Sequence, residues 1–148
     1  MFIGISEKVQ PTLSRLKIFI SEIIIPNENR YQRELKVERW QVPAVMTEMQ
    51  EQARKADLFN LFLNPNEFNQ VEYAHLAEAM GRTEIAAEVF NCASPDTGNM
   101  DILARFGSKV QQREWLKPLL AGAIRSGFAM TEPAVASSDA SNLATRAT

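Results

Sequence analysis

The sequence is poor in the residues that build disulfide frameworks and metal centres. Its 148 residues include one cysteine, Cys92, and one histidine, His75. A single cysteine excludes an internal disulfide and any thiolate-cluster metal site built by this chain alone. Glu72 and His75 have the i, i+3 spacing of half a di-iron helix motif, but a complete site needs a second such pair and further carboxylates. We therefore predict no metal site and expect Cys92 to be a buried structural thiol.

The chain also lacks a long apolar run and an excess of charge of one sign. Its most apolar stretch, residues 18–25, contains Glu22 and is too short to span a membrane. The first residues show no basic region followed by an apolar one, so we predict no signal peptide and a cytoplasmic location. The 16 basic residues nearly balance the 18 acidic ones. No field that favours nucleic acid is therefore expected.

Amphipathic helical patterns fill the first 122 residues. In the first helix, apolar residues recur at steps of three and four, and we expect Pro26 to end it. The residues of this stripe are Val9, Leu13, Leu16, Ile20 and Ile23. The polar stretch 27–42 is interpreted as a short helix or a wrapped connection. A second helix is predicted to begin near Pro43.

Further helices are marked by their end signals. Asn69 is the predicted cap of a third helix that ends at Gly81, and a short fourth helix follows at residues 85–90. Residues 92–98 are rich in turn formers, so the next helix is predicted at 100–106. Ser108 is expected to cap a last helix over 109–121. With 45% apolar residues, the chain is long enough to bury one core.

The pattern changes after Gly122. Residues 126–131 alternate small or polar residues with large apolar ones, which is typical of a strand. Residues 132–142 form a stretch rich in small and hydroxyl side chains, where a ligand can approach the backbone closely. We therefore predict an all-α unit over 1–123, followed by a strand and a loop within 124–148.

Two phrases in residues 100–142 resemble the acyl-CoA dehydrogenase family. The first reads RFG at 105–107, QQ at 111–112 and WLKPLLAG at 115–122, and the second reads FAMTEP at 128–133. Their order and spacing match the junction between the family's helical N-terminal domain and its middle β-domain. One departure is visible: many members follow TEP with GAGSD, whereas this chain has AVASSD at 134–139. Any role that depends on a glycine there is not carried over.

This resemblance implies a fold and a chemistry. Residues 1–123 would be the N-terminal helical bundle domain of an acyl-CoA dehydrogenase, and residues 124–148 the truncated start of the β-domain. The cofactor would be FAD, and the reaction would introduce an α,β double bond into an acyl-CoA thioester. The catalytic carboxylate belongs to a C-terminal domain that is missing here, so no catalytic residue is predicted and the chain alone is expected to be inactive.

The resemblance also assigns binding residues. Phe128, Met130 and Thr131 would contact the flavin ring, with the Thr131 hydroxyl bonded to its pyrimidine part. Ala136 and Ser137 would lie near the flavin phosphates, and Ser137 also near the CoA thioester. Glu132 is expected to make a structural hydrogen bond rather than to act as a base.

Partners follow from the same resemblance. They are the acyl-CoA substrate, an electron-transferring flavoprotein, and further copies of the complete protein in a homodimer or homotetramer. The alternative is a helical interaction or scaffold module without catalytic activity, whose apolar stripes serve a protein partner. Residues 128–139 separate the two, because a scaffold has no reason to end in this sequence.

Overall fold

The computed structural model describes residues 4–63, 68–135 and 139–146 of the chain. Within these ranges the secondary structure is helical, which confirms the predicted all-α class. The α-helices are α1 (Gln10–Phe19), α2 (Ile25–Val37), α3 (Ala44–Lys55), α4 (Gln70–Met80), α5 (Ala86–Val89), α6 (Asp96–Phe106), α7 (Lys109–Gln111) and α8 (Lys117–Leu120). A π-helical turn, π1 (Ile20–Ile24), connects α1 to α2, and a second one, π2 (Gln112–Leu116), connects α7 to α8. Short 3-10 helices lie at Leu61–Leu63 and Ala140–Asn142. In these same ranges, no helix is long and apolar enough to cross a bilayer.

The first helix does not end at Pro26. Helices α1 and α2 form one helical run through π1, so the prediction of a stop at Pro26 was wrong. Proline lacks an N–H and its ring clashes with the carbonyl four residues earlier in an α-helix. The wider π1 turn relieves this conflict, since the N–H of Ile25 bonds the carbonyl of Ile20 five residues back. The stretch predicted as a short helix or connection is therefore helical up to Val37.

A second proline is accommodated in the same way. Pro118 follows π2, in which the N–H of Lys117 bonds the carbonyl of Gln112. The predicted helix over 109–121 is thus present, but it consists of α7, π2 and α8. Its N-terminus is the predicted one: the Ser108 side chain accepts from the N–H of Gln111, whose own side chain accepts from the Ser108 N–H.

The third predicted helix has the cap that the sequence indicates. The Asn69 side chain accepts hydrogen bonds from the N–H groups of Val71 and Glu72, each at 3.0 Å. Glu72 returns the interaction by accepting from the Asn69 N–H at 2.9 Å. This reciprocal box satisfies donors that a helix start leaves unpaired. By contrast, α6 begins at Asp96, four positions before the predicted start.

One apolar core is shared by α1, π1, α3, α4 and α5. Phe90 is fully buried, and its ring meets that of Phe19 edge to face at a centroid distance of 5.3 Å. The α1 stripe enters the core as predicted, except that Ile24 is fully buried and Ile23 only partly. Each large side chain buried in this way contributes about 1.5–3 kcal/mol. The core therefore holds the loops at 56–63 and 90–95 that face α8.

The strand predicted over 126–131 is not formed among the described residues. These residues have no regular secondary structure, and Phe128 is 71% exposed. A strand is stabilised by hydrogen bonds to a neighbouring strand, and none of the described segments offers one. The alternation in the sequence therefore has no sheet to join within these ranges.

Candidate functional site

The predicted flavin segment lies on the surface. Met130 is 40% exposed, and Phe128 and Thr131 are exposed as well. Within the described ranges, the main-chain groups of 128–131 make no backbone hydrogen bond. The segment therefore presents open N–H and carbonyl groups beside a hydroxyl, the donor and acceptor types that the edge of a flavin ring requires. The residues that are described fit the implied cofactor in this respect.

Three of the five predicted site residues lie within the described ranges. Ala136 and Ser137 lie outside the described residues, so their assignment to the flavin phosphates and the CoA thioester stays a prediction. Phe128, Met130 and Thr131 follow one another along a single segment. What positions them is the attachment of that segment to the helices.

The first attachment is a carboxylate at the start of α6. Asp96 is 2% exposed, and its Oδ1 accepts from the Ser126 N–H at 2.7 Å and from the Ser126 hydroxyl at 2.6 Å. Its Oδ2 accepts from Nε of Arg125 at 2.6 Å. Nδ2 of Asn99, one turn along α6, donates to the Ser126 hydroxyl oxygen at 2.8 Å. Residues 125–126 are therefore fixed to the first turn of α6.

Arg125 extends this cluster to α5. One of its terminal nitrogens is ion-paired with Glu88, while its Nε bonds Asp96. Burial alone would raise the pKa of Asp96, but the hydrogen bonds from Ser126 and Arg125 outweigh burial and lower it. The carboxylate is charged at neutral pH. Charged hydrogen bonds are stronger than neutral ones, so this attachment is a firm one.

The second attachment lies at the C-terminal end of α8. Nδ2 of Asn91 donates to the carbonyl of Leu119 at 3.0 Å, and Nδ2 of Asn60 donates to that of Leu120 at 2.9 Å. The two asparagines also bond each other at 2.7 Å. Terminal carbonyl groups have no partner within their helix. The two asparagine side chains donate hydrogen bonds to these carbonyls and so fix the position of the last turn of α8.

Arg54 completes this second attachment. Its Nη2 donates to the carbonyl of Ala121 at 2.7 Å, and its guanidinium lies over the Phe59 ring at 4.1 Å from the centroid. Gly122 follows with a φ of +65°, and a Cβ there would be 2.9 Å from Arg54 Nη2. The positive charge also suits the negative end of the helix dipole. The chain leaves α8 in a defined direction as a result.

Glu132 has the structural role expected of it. Its carboxylate accepts from the N–H of Ala144 and from the N–H and hydroxyl of Thr145. The Thr145 hydroxyl, followed by the N–H groups of Ala144 and Thr145, lowers the pKa of Glu132. A carboxylate with a lowered pKa is a poor base. Glu132 instead connects the two described parts of this loop, 132–135 and 139–146, through its bonds to Ala144 and Thr145.

A surface groove of about 820 Å³ lies between α4 and α6. Its walls are partly apolar, with Phe62, Leu63, Phe68 and Tyr73 on one side. Thr97, Gly98, Asp101 and Arg105 of α6 line the other. The groove does not include Phe128, Met130 or Thr131.

Glu72 and Cys92, two further candidates from the sequence, have structural roles. Glu72 is occupied by its capping box and by the Ser6 hydroxyl, which donates to it at 2.8 Å. In the part of the chain that the structure describes, no three metal-ligating side chains of His, Cys, Asp or Glu lie together. Cys92 is buried, as predicted. Burial raises the pKa of its thiol to about 11, which opposes nucleophilic reactivity.

Sequence reasoning missed the residues that hold the segment. Asp96 was placed in a turn-rich stretch, and Arg125 and Glu88 carried no assigned role. Asp96 and Arg125 are brought together by the fold rather than by local spacing. The available signal was a carboxylate directly after Pro95, since acidic residues favour the first turn of a helix.

Comparison with known proteins gives consistent results. Residues 13–123 match the family model described as acyl-CoA dehydrogenase, N-terminal domain. Acyl-CoA dehydrogenase family member 10 of Mus musculus is 45% identical over 150 residues, which cover 95% of this chain and 14% of that protein. Acyl-CoA dehydrogenase family member 11 of Homo sapiens is 43% identical over 144 residues, covering 93% of this chain and 18% of that protein.

A solved structure from Mycobacterium abscessus, which its description assigns to the acyl-CoA dehydrogenases, has the same fold. It superposes with a TM-score of 0.86 at 42% sequence identity, covering 96% of this chain and 38% of the other. The chain therefore spans well under half of the length of each of these three proteins.

Proposed function

The chain belongs to the acyl-CoA dehydrogenase family, and we propose that it is the N-terminal part of an FAD-dependent enzyme that introduces an α,β double bond into acyl-CoA thioesters. When bound, FAD would supply the acceptor for the hydride that leaves the β-carbon of the substrate. The observation that carries the proposal is the exposed segment 128–131. Its main-chain groups make no backbone hydrogen bond to any residue that the structure describes, and residues 125–126 just before it are fixed by the buried Asp96.

The chain's own residues would bind and orient the cofactor. The main chain of Phe128 and Met130 and the hydroxyl of Thr131 are proposed to contact the edge of the flavin ring. Hydrogen bonds at that edge stabilise negative charge on the reduced ring. Ala136 and Ser137 are proposed to lie near the flavin phosphates, and Ser137 near the CoA thioester.

We place the remaining steps of the reaction outside this chain. The base that removes the α-proton is proposed to be a carboxylate of a further domain, because Glu132 is engaged by Ala144 and Thr145. An electron-transferring flavoprotein and a homodimer or homotetramer are proposed for the complete protein. We expect no dehydrogenation of an acyl-CoA by the 148-residue chain, and measurable turnover would contradict this.

A test of cofactor binding uses the purified chain, FAD and the quenching of flavin fluorescence. We expect the wild type to bind and Thr131→Val to bind about fivefold to tenfold more weakly, as for the loss of one hydrogen bond. Thr47→Val is the matched control, because Thr47 is an exposed residue of α3; it should leave the affinity unchanged. If the wild type shows no binding, either the further domains are indispensable or the scaffold alternative is the better explanation. A titration of a longer chain that carries those domains separates the two, because only the scaffold alternative leaves that chain unable to bind FAD.

The alternative has one supporting observation. Helices α6 to α8 and the following segment leave several large apolar side chains on the surface, among them Phe106 at 80% and Trp115 at 55% exposure. Exposed apolar surface of this kind is typical of a contact face. The face is compatible with either hypothesis, so the FAD titration and not the exposure decides between them.

A further inference from the structure

The cluster of Asp96, Arg125 and Ser126 lies just before the segment that the proposed function assigns to FAD. Nothing else in the proposed chemistry uses these three residues. Asp96 is nevertheless buried with its charge, which is unfavourable unless the charge is well bonded. A chain that only needed to end α8 has the asparagine pair and Arg54 for that purpose.

The geometry of the cluster fixes direction as well as place. Both oxygens of Asp96 are used, one for Ser126 and one for Arg125, so two successive residues are tied to one carboxylate. Asn99 holds the Ser126 hydroxyl from the next turn of α6. Two adjacent attachment points leave the backbone little freedom to rotate about the link. The direction in which the chain continues from Ser126 into residues 127–131 is thereby set.

We propose that Asp96 and Arg125 are positioning residues for cofactor binding, which hold segment 126–131 in the orientation that FAD requires. This inference rests on the proposed function. Neither side chain needs to touch the cofactor, since both act through the backbone of residues 125–126. The energetic benefit is preorganisation: a segment held before binding loses less conformational entropy when the ligand arrives.

The matched control is an ion pair elsewhere on the same helix. Arg105 Nε bonds Asp101 Oδ1 at 2.8 Å, with both side chains largely exposed. Asp101 lines the groove beside α4 and not the segment. Asp101→Asn therefore removes the same kind of charge from the same helix without touching the proposed attachment, and it should leave both FAD affinity and exchange in 123–131 unchanged.

The experiment measures amide hydrogen exchange and FAD affinity on the same variants. In Asp96→Asn and in Arg125→Gln we expect exchange of the Ser126 N–H, which donates to Asp96, to rise about tenfold, as for the loss of a charged hydrogen bond, with α3 and α4 unchanged. FAD affinity should fall about tenfold in both. Arg125→Lys keeps the positive charge but loses Nε, so its FAD affinity should lie between that of Arg125→Gln and that of the wild type.

A double variant separates positioning from general weakening. Because Asp96 and Arg125 act as a unit, Asp96→Asn/Arg125→Gln should bind FAD about as weakly as either single variant. Fully additive losses, or unchanged exchange of the Ser126 N–H, would overturn the proposal. So would raised exchange with wild-type affinity, because the held orientation would then not serve the cofactor.

The two proposals fail differently. If the 148-residue chain and a longer chain that carries the further domains both fail to bind FAD, the proposed function fails, and with it the cofactor role of the cluster. Exchange of the Ser126 N–H still decides whether Asp96 holds the segment. If the Asp96→Asn variant binds FAD as tightly as the wild type does, the proposed function stands and only the positioning role is removed.

Discussion

Nδ2 of Asn91 donates a hydrogen bond to Oδ1 of Asn60 at 2.7 Å, and both asparagines have a positive φ. Asparagine adopts this left-handed conformation more readily than other non-glycine residues. Each of the two side chains also reaches a carbonyl at the end of α8. Two residues that are far apart in the sequence thus cap the C-terminal end of the same helix, α8.

Asn91→Ala should destabilise the fold by about 3 kcal/mol. About 1–2 kcal/mol arises because the Leu119 carbonyl and Asn60 lose their partner in a buried place, and about 1 kcal/mol because alanine disfavours a positive φ. Urea unfolding followed by circular dichroism measures the sum. Asn91→Gly keeps the backbone conformation accessible, so its smaller loss isolates the hydrogen bonds. Equal losses in the two variants would show that the positive φ contributes nothing.

Gly107→Ala should destabilise the chain by about 2 kcal/mol, as overpacking does. A Cβ at Gly107 would lie 2.4 Å from the Leu103 carbonyl oxygen, which is backbone and cannot give way easily. This explains the glycine of the RFG phrase. Gly98→Ala, within α6, is the control, because a Cβ there meets nothing within 4 Å. We expect it to be neutral or slightly stabilising. Thermal denaturation of both variants provides the comparison.

Cys92 should resist alkylation in the folded chain. Its pKa of about 11 keeps the thiol protonated at about pH 8, and the side chain is buried. Iodoacetamide labelling followed by mass spectrometry should be at least about a hundredfold slower in the native chain than in urea, because labelling requires opening of the structure. Similar rates in both conditions would mean that the 90–95 loop opens readily. Cys92→Ser provides the blank.

The charge of Asp96 should make the free energy of unfolding depend on pH in the acidic range. Its folded-state pKa lies below the ordinary value of 3.8, so its contribution is present above the unfolded-state pKa and is lost as the pH falls through the folded-state pKa. We expect Asp96→Asn to cost about 2 kcal/mol at about pH 7. The difference from the wild type should stay constant above about pH 5 and shrink below about pH 4. A difference that persists undiminished at the lowest pH would exclude the charge as its origin.

The sequence was informative where the causes are local. The caps at Asn69 and Ser108 each lie three residues from their reciprocal partner, so short spacing was enough to find them. Pro26 was misjudged because a proline stops an α-helix, whereas a π-turn before it lets the helix continue. The strand at 126–131 depends on a neighbour that no local pattern can supply.

The candidate site divides in the same way. Segment 128–131 could be assigned by its resemblance to a family, since its residues are contiguous. Its attachment to Asp96 could not, because that carboxylate lies thirty positions before Ser126 and only the packing of α6 against the end of α8 brings the two together. The roles of Phe128, Met130 and Thr131 in binding FAD remain predictions until the titration is made.

The π-turns before Pro26 and Pro118 have a consequence for the alignment of relatives. A turn closed by bonds to the fifth residue back holds about one residue more than an α-helical turn, which shifts the phase of every later side chain by about 100°. A relative with alanine in place of either proline has no need of the extra residue. We expect single-residue gaps to fall within 20–24 and 112–116 in such comparisons. After each such gap, equivalent inward-facing residues of this chain and of the relative should then differ by one in residue number.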